Sequence, residues 1–266
     1  MDLVRVEVNE LATRNTAQVI RDLKADVLGV VEAESRPALV RFSDNVLPTV
    51  NGVPYQHLML VDGNDERGID VGIMTRKGFD IVSICSHVDD EDDGGRIFSR
   101  DCAQYEIRTP SGKTIFVLIN HLKSKGFGTP AASNAKRKRQ AERVAEIYKA
   151  LREKHEFVTV IGDLNDTPDS DPLRPLVHGT DLKDISALSG FDDGGRPGTF
   201  KNGTASNKID YILLSPALFS KATRGGIFRK GVWGGTNGTL FPHYPEMTKE
   251  SEAASDHAAI WAEINI

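Results

Sequence analysis

The chain reads as an α/β domain built on largely antiparallel strands, and three observations carry that reading. Its 266 residues suit one large domain with no need of a second core. Apolar runs of strand length alternate with two helical patterns, and the turn Thr109-Pro110-Ser111-Gly112-Lys113 joins two of the runs as a hairpin. Several runs also begin or end on ionisable residues. Such groups are costly inside a sheet without partners, so their repetition at strand ends marks a cleft along one edge.

The elements follow in order. Ala12, Thr16, Val19, Ile20 and Leu23 recur at helical spacing and lead into the apolar strand Asp26 to Glu32, which delivers a carboxylate at its end. Strand-like runs come next at Leu58 to Val61, Val71 to Met74, Ile81 to Ile84 and Ala103 to Ile107. Beyond the hairpin turn, Ile115 to Asn120 ends on His121. Ser133-Asn134 is expected to cap a long helix with Ala141, Val144, Ala145, Tyr148 and Leu151 on one apolar stripe, closed at Lys154-His155. Phe157 to Ile161 reads as a buried strand that ends on Gly162 and projects Asp163 and Asn165. Asp210 opens the strand Tyr211 to Leu214, and Asp256-His257 opens Ala258 to Trp261. Between Gly225 and Ser255 lies a Gly-, Pro- and Thr-rich loop with Trp233, Phe241, His243 and Tyr244, expected as a rim over the cleft.

Composition narrows the partners. The net charge of −5 counts against a protein that wraps nucleic acid over its whole surface. Between Lys123 and Arg143, however, the cations Lys123, Lys125, Lys136, Arg137, Lys138, Arg139 and Arg143 outnumber the single acid Glu142. That stretch, at the start of a helix where cations oppose the dipole, is the expected polyanion contact. The run Asp89 to Asp93 is expected as a solvated acidic loop. No apolar run is long enough to span a membrane, and Met1 to Arg5 lacks the basic start of a signal peptide, so the site of action is left open. Cys85 and Cys102 are expected as buried free thiols.

Val30-Val31-Glu32, Asn120-His121-Leu122-Lys123, Gly162-Asp163-Leu164-Asn165, Ile209-Asp210-Tyr211 and Ser255-Asp256-His257 together resemble the ordered motif set of the endonuclease/exonuclease/phosphatase superfamily, the deoxyribonuclease-I-like phosphoesterases. The resemblance runs over roughly residues 15 to 266. It implies a four-layer αββα sandwich in which two packed, mixed and largely antiparallel sheets carry helices outside. It also implies hydrolysis of phosphodiesters with Mg²⁺, or Mn²⁺ in its place, held by the hard oxygens of Glu32 and Asp256.

By the same resemblance, Asp163 orients or deprotonates the attacking water while the Asn165 amide holds that water or the phosphate. His257 donates to the phosphoryl oxygen, and Asp210 fixes its tautomer. His121 resembles a second histidine of the deoxyribonuclease and sphingomyelinase branches and is expected to bind phosphate or assist the leaving group. Arg100, in Phe98-Ser99-Arg100-Asp101, resembles a phosphate-contacting arginine. Lys123, Lys125 and Arg137 extend the anion-binding rim. Glu34 is a supporting candidate beside Glu32, and Asp70 a possible partner for His121.

One departure stands out. The family begins with a strand ending in an asparagine; Leu3 to Val8 followed by Asn9 can pass for it, but the favoured reading is that this strand is lacking. The expected substrate is nucleic acid, DNA foremost, acted on by a monomer with no membrane and no obligate protein partner. A phosphatase, a small-molecule or phospholipid diesterase, or a binding protein with a degenerate site are the alternatives, since loops set the substrate on a shared core.

Overall fold

The computed structural model describes residues 8–266. Helix α1 (Glu10–Leu23) runs straight into β1 (Val27–Ala33), and α2 (Arg36–Arg41) follows. The next strands are β2 (His57–Val61), β3 (Asp70–Thr75) and β4 (Asp80–Cys85), then the short hairpin β5 (Glu91–Asp92) and β6 (Gly95–Arg96). After β7 (Ala103–Arg108) and β8 (Thr114–His121) comes the long helix α3 (Pro130–Arg152), which crosses over to β9 (Val158–Asp163). The chain closes with β10 (Lys183–Asp184), β11 (Asp210–Leu214), β12 (Ala222–Phe228) and β13 (Ala259–Ile264).

Six strands form one sheet in the order β10-β11-β9-β8-β7-β4, and β1-β3-β2 form a second. The alternation of β8 shows why they stack. Val117 and Ile119, with Tyr105 and Ile107 of the neighbouring β7, face the second sheet and pack with its Val71 and Ile73. Phe116 and Leu118 point the other way, toward Val144 and Tyr148 of α3. Helix α1 covers the outer face of the second sheet through Ala17 and Ile20 against Leu47 and Met74. Helix, sheet, sheet and helix therefore make the expected four layers, each apolar face buried on the next. Full burial of one such side chain contributes about 1.5–3 kcal/mol.

β12 and β13 pair with each other and lie against β11. Among the described residues, β1 and β13 each have one strand partner only. The expected first strand from Leu3 to Val8 falls, apart from Val8, outside the described residues. Asn9 is exposed and caps α1: its Oδ1 accepts from Ala12 N at 3.1 Å and its Nδ2 donates to Ser251 O at 2.5 Å. One end of that amide caps the helix and the other holds the backbone of Ser251, so Asn9 serves α1 and its anchor to the segment before β13.

Other local expectations change. α3 is capped by Thr129, whose side chain accepts from Ala132 N, and Pro130 occupies the first helical turn, so the helix begins earlier than Ser133. Ser133 is buried inside it and donates to Phe127 O at 2.8 Å. β12 was not foreseen, because Gly225 and Gly226 interrupt its apolar pattern. Cys102 is buried as expected, whereas Cys85 is exposed at the end of the edge strand β4; both are free thiols.

Candidate active site

Strand register builds the site. β8 and β9 are parallel, placing His121 beside Asp163, and β9 and β11 are antiparallel, placing Asp163 beside Asp210. Three ionisable side chains from separate motifs thus stand in one row across the six-stranded sheet. Gly162 makes the row possible. Its φ is +125°, and a Cβ there would lie 2.0 Å from Asn120 O, so any side chain would push β8 and β9 apart.

His257 completes the row from the start of the last strand. Its Nδ1 lies 2.9 Å from Asp210 Oδ2, which also accepts from Thr199 Oγ1 at 2.5 Å. With Nδ1 on the carboxylate, Nε2 is the nitrogen left to face a substrate. Burial alone would depress the His257 pKa, but the hydrogen bond and charge of Asp210, with the charges of Asp163 and Asp256, raise it to about 9. The imidazole is therefore a cation at neutral pH.

Asp163 is 4% exposed, and burial first, then the neighbouring Asp210 charge, raises its pKa. Its oxygens accept from Asn165 N and Asn165 Nδ2, each at 2.8 Å. Asn165, at φ +57°, turns back over the carboxylate and donates from the same Nδ2 to Leu122 O at 3.0 Å. Both amide hydrogens are thereby used. Asn165 is left with an acceptor oxygen, which suits a water better than a phosphate.

His121 is buried, with Nε2 3.5 Å from Asp163 Oδ2 and Nδ1 lacking a partner. Burial, then the positive charges of Arg100, His257 and Arg67, lowers its pKa to about 3. It is a neutral imidazole beside a cationic one, so the two histidines have different proton inventories. Asp70 is not its partner; that carboxylate accepts from Gly63 N at 2.7 Å.

The remaining expectations divide. Glu32 stands exposed at the end of β1, at φ +59°, in a bulge where the register slips between Val30↔Gly72 and Ala33↔Asp70. Among the described residues it has no hydrogen-bond or ion-pair partner. Such a conformation costs a glutamate about 1–3 kcal/mol and is characteristic of functional positions. Glu34 is exposed and equally unpartnered. Asp256 is exposed, and among the described residues Asp163, Asp210 and His257 form a cluster whose ligand atoms lie close enough to share one ion.

Arg137 is not a phosphate contact. It is fully buried and donates to Asp166 Oδ2 from Nε at 3.0 Å and from Nη2 at 2.8 Å. Arg100, 3% exposed, donates to Asp65 at 3.0 Å and to Leu122 O at 2.7 Å, while its buried Nε has no partner among the described residues. Lys125 pairs with Asp166 at 2.5 Å. Lys123 is half-buried and forms no ion pair among the described residues, as a rim contact requires.

The charge stretch of α3 meets the acidic hairpin instead of standing free. Arg139 pairs with Asp92 and Arg143 with Asp90, so the run from Asp89 to Asp93, exposed as expected, lies in a hairpin strapped to α3. Three residues that motif reading passed over also belong here. Thr199 holds Asp210, Phe200 lies 4.8 Å from the His257 ring, and Arg67 is clamped on Asp65 with half its surface open.

The profile of the Endonuclease/Exonuclease/phosphatase family matches residues 7–257. The chain belongs to that family. Members of the endonuclease/exonuclease/phosphatase family are hydrolytic phosphoesterases that generally depend on a divalent metal. Among solved structures, a Bacteroides thetaiotaomicron mannosyl-6-phosphatase is 19% identical over 96% of this chain and 91% of its own, with a TM-score of 0.71. Truncated Caenorhabditis elegans TDP2 is 18% identical over 95% and 89%, TM-score 0.64. Staphylococcus aureus beta toxin is 17% identical over 96% and 92%, TM-score 0.64. At these identities they establish the fold. No curated protein matches the chain by sequence.

Proposed function

We propose that this member of the family is a divalent-metal-dependent phosphodiesterase whose substrate is nucleic acid, DNA foremost. The observation that carries the reading is the row His121, Asp163, Asp210 and His257, flanked by the cations Arg67, Arg100 and Lys123. A neutral imidazole, a buried carboxyl and an imidazolium stand within one row, which gives a diester both a proton acceptor and a proton donor.

The donor set fits a hard cation. Carboxylate oxygens predominate, and the described residues include no cysteine in a ligand cluster. Glu32, strained and without a protein partner, would hold Mg²⁺ or Mn²⁺ together with a carboxylate of the row. When bound, the ion supplies neutralisation of phosphoryl charge.

The protein's own groups divide the remaining work. Asp163 accepts the proton of the attacking water, and Asn165 Oδ1 accepts that water's second hydrogen. His257 Nε2 donates to a phosphoryl oxygen, while Asp210, held by Thr199, keeps the ring protonated and aligned. His121, neutral and buried, orients Asp163. Asp256 adds its charge to those that hold His257 protonated.

A panel of plasmid DNA, single strands, RNA, bis(4-nitrophenyl) phosphate, sugar phosphates and sphingomyelin, each with Mg²⁺, Mn²⁺ or excess chelator, tests the reading. Metal-dependent cleavage of DNA is expected. Undiminished turnover in chelator removes the metal role, and activity confined to a sugar phosphate or a lipid removes the nucleic-acid assignment.

A further inference from the structure

Phe127 is the single exposed aromatic side chain among the described residues. It is 60% exposed on the loop between β8 and α3, a few residues past His121. An isolated exposed apolar residue needs no explanation in itself. This one is placed by charge. The guanidinium carbon of Arg67 lies 5.1 Å from its ring centroid and Lys123 Nζ lies 5.6 Å from it. Ser133, buried in α3, anchors the loop through its bond to Phe127 O.

Both cations belong to the site. Arg67 is fixed through Nε to Asp65 at 3.0 Å, the carboxylate that also holds buried Arg100. The Arg67 charge reaches Glu32 and His121. Burial, with the charges of Arg100 and Arg67, holds the Lys123 ammonium below its usual pKa, as expected of cations gathered on one rim. Asp65 is the acid that pairs with this group. The rim therefore combines positive charge with an aromatic side chain that remains largely exposed, which matches a ligand that is at once anionic and planar.

We propose that Phe127, flanked by Arg67 and Lys123, is a stacking platform for the nucleobase next to the scissile phosphate, and so sets preference for nucleotides over other phosphodiesters. The inference rests on the phosphodiesterase reading above and deepens it by naming a residue for substrate choice. Phe127 is a specificity residue: it meets the base, while the cations beside it meet the phosphate.

The test compares dithymidine monophosphate, which has one phosphodiester, with its analogue bearing tetrahydrofuran in place of both nucleosides' base-carrying sugars. Phe127→Ala is expected to lower kcat/KM on the thymine substrate by about 5- to 100-fold, mainly through KM, as loss of one base–aromatic stack does. Phe127→Trp should restore it, and the abasic analogue should be indifferent to either change. Equal losses on both substrates, or no loss on either, overturn the platform while the enzyme's activity leaves the phosphodiesterase reading standing. Wild type that hydrolyses neither substrate overturns both. A Phe127→Ala variant with unchanged thymine kinetics but weakened binding to phosphatidylglycerol vesicles assigns the residue to lipid and likewise overturns the proposal.

Discussion

Two residues show how the site trades stability for chemistry. Glu32 sits in the left-handed region, where a glycine would be at ease. Glu32→Gly is expected to raise stability, or leave it unchanged, while removing metal-dependent turnover; urea denaturation alongside a kinetic assay checks both, and a clear loss of stability would show the conformation is unstrained. His257 is the opposite case, a group whose partner moves its titration. Its pKa in the folded protein is raised from an ordinary 6.5 to about 9, so the stabilisation is fully present below 6.5 and is lost as pH rises through about 9. The alkaline limb of kcat/KM is therefore expected near pH 9. Asp210→Asn removes the charge and should pull that limb down toward 6.5; a limb that stays in place takes Asp210 out of the role.

At the scale of elements, α3 carries the largest revision. Its cations look like one basic face in the sequence, yet the fold assigns them separate jobs. Arg137 is buried against Asp166, and removing one partner of a buried pair typically costs about 3–5 kcal/mol. Arg137→Ala should lower the denaturation midpoint accordingly, and a change under about 1 kcal/mol would return it to the surface. Arg139 is paired through two nitrogens with Asp92 on the hairpin β5–β6. Arg139→Ala is thus expected to leave the salt dependence of DNA binding unaltered, whereas Lys123→Ala should reduce the slope by about 1. The reverse ranking would make α3 the nucleic-acid contact after all.

For the whole molecule, the proposed site draws on three separate sheets. Glu32 comes from one sheet, His121, Asp163 and Asp210 from the other, and His257 from the start of the closing strand. An ion held across them binds the folded state alone, so Mg²⁺ at about a hundred times its Kd should add about 2.7 kcal/mol. Calorimetry should show the Tm rise by several degrees with Mg²⁺ in the wild type and not in Glu32→Gln. A rise that persists in the variant places the ion elsewhere. No helix among the described residues is long and apolar enough to cross a membrane.

What the sequence determined by itself was local: apolar runs of strand length, the polar groups at their ends, the helix before β1 and the hairpin at residues 109 to 113. Those follow from periodicity and turn chemistry, which act over a few residues. The motif order added the family, the four layers and most of the site, including the Asp210 to His257 contact. Tertiary structure alone decided which charges remain available. Arg137, Arg100 and Arg139 each found an acid from a distant segment, Asn9 was taken by a helix cap, and Thr199 and Arg67 came to the row from loops with no pattern to announce them. A charge is legible in a sequence; whether it is spent depends on what the fold brings within about 4 Å of it.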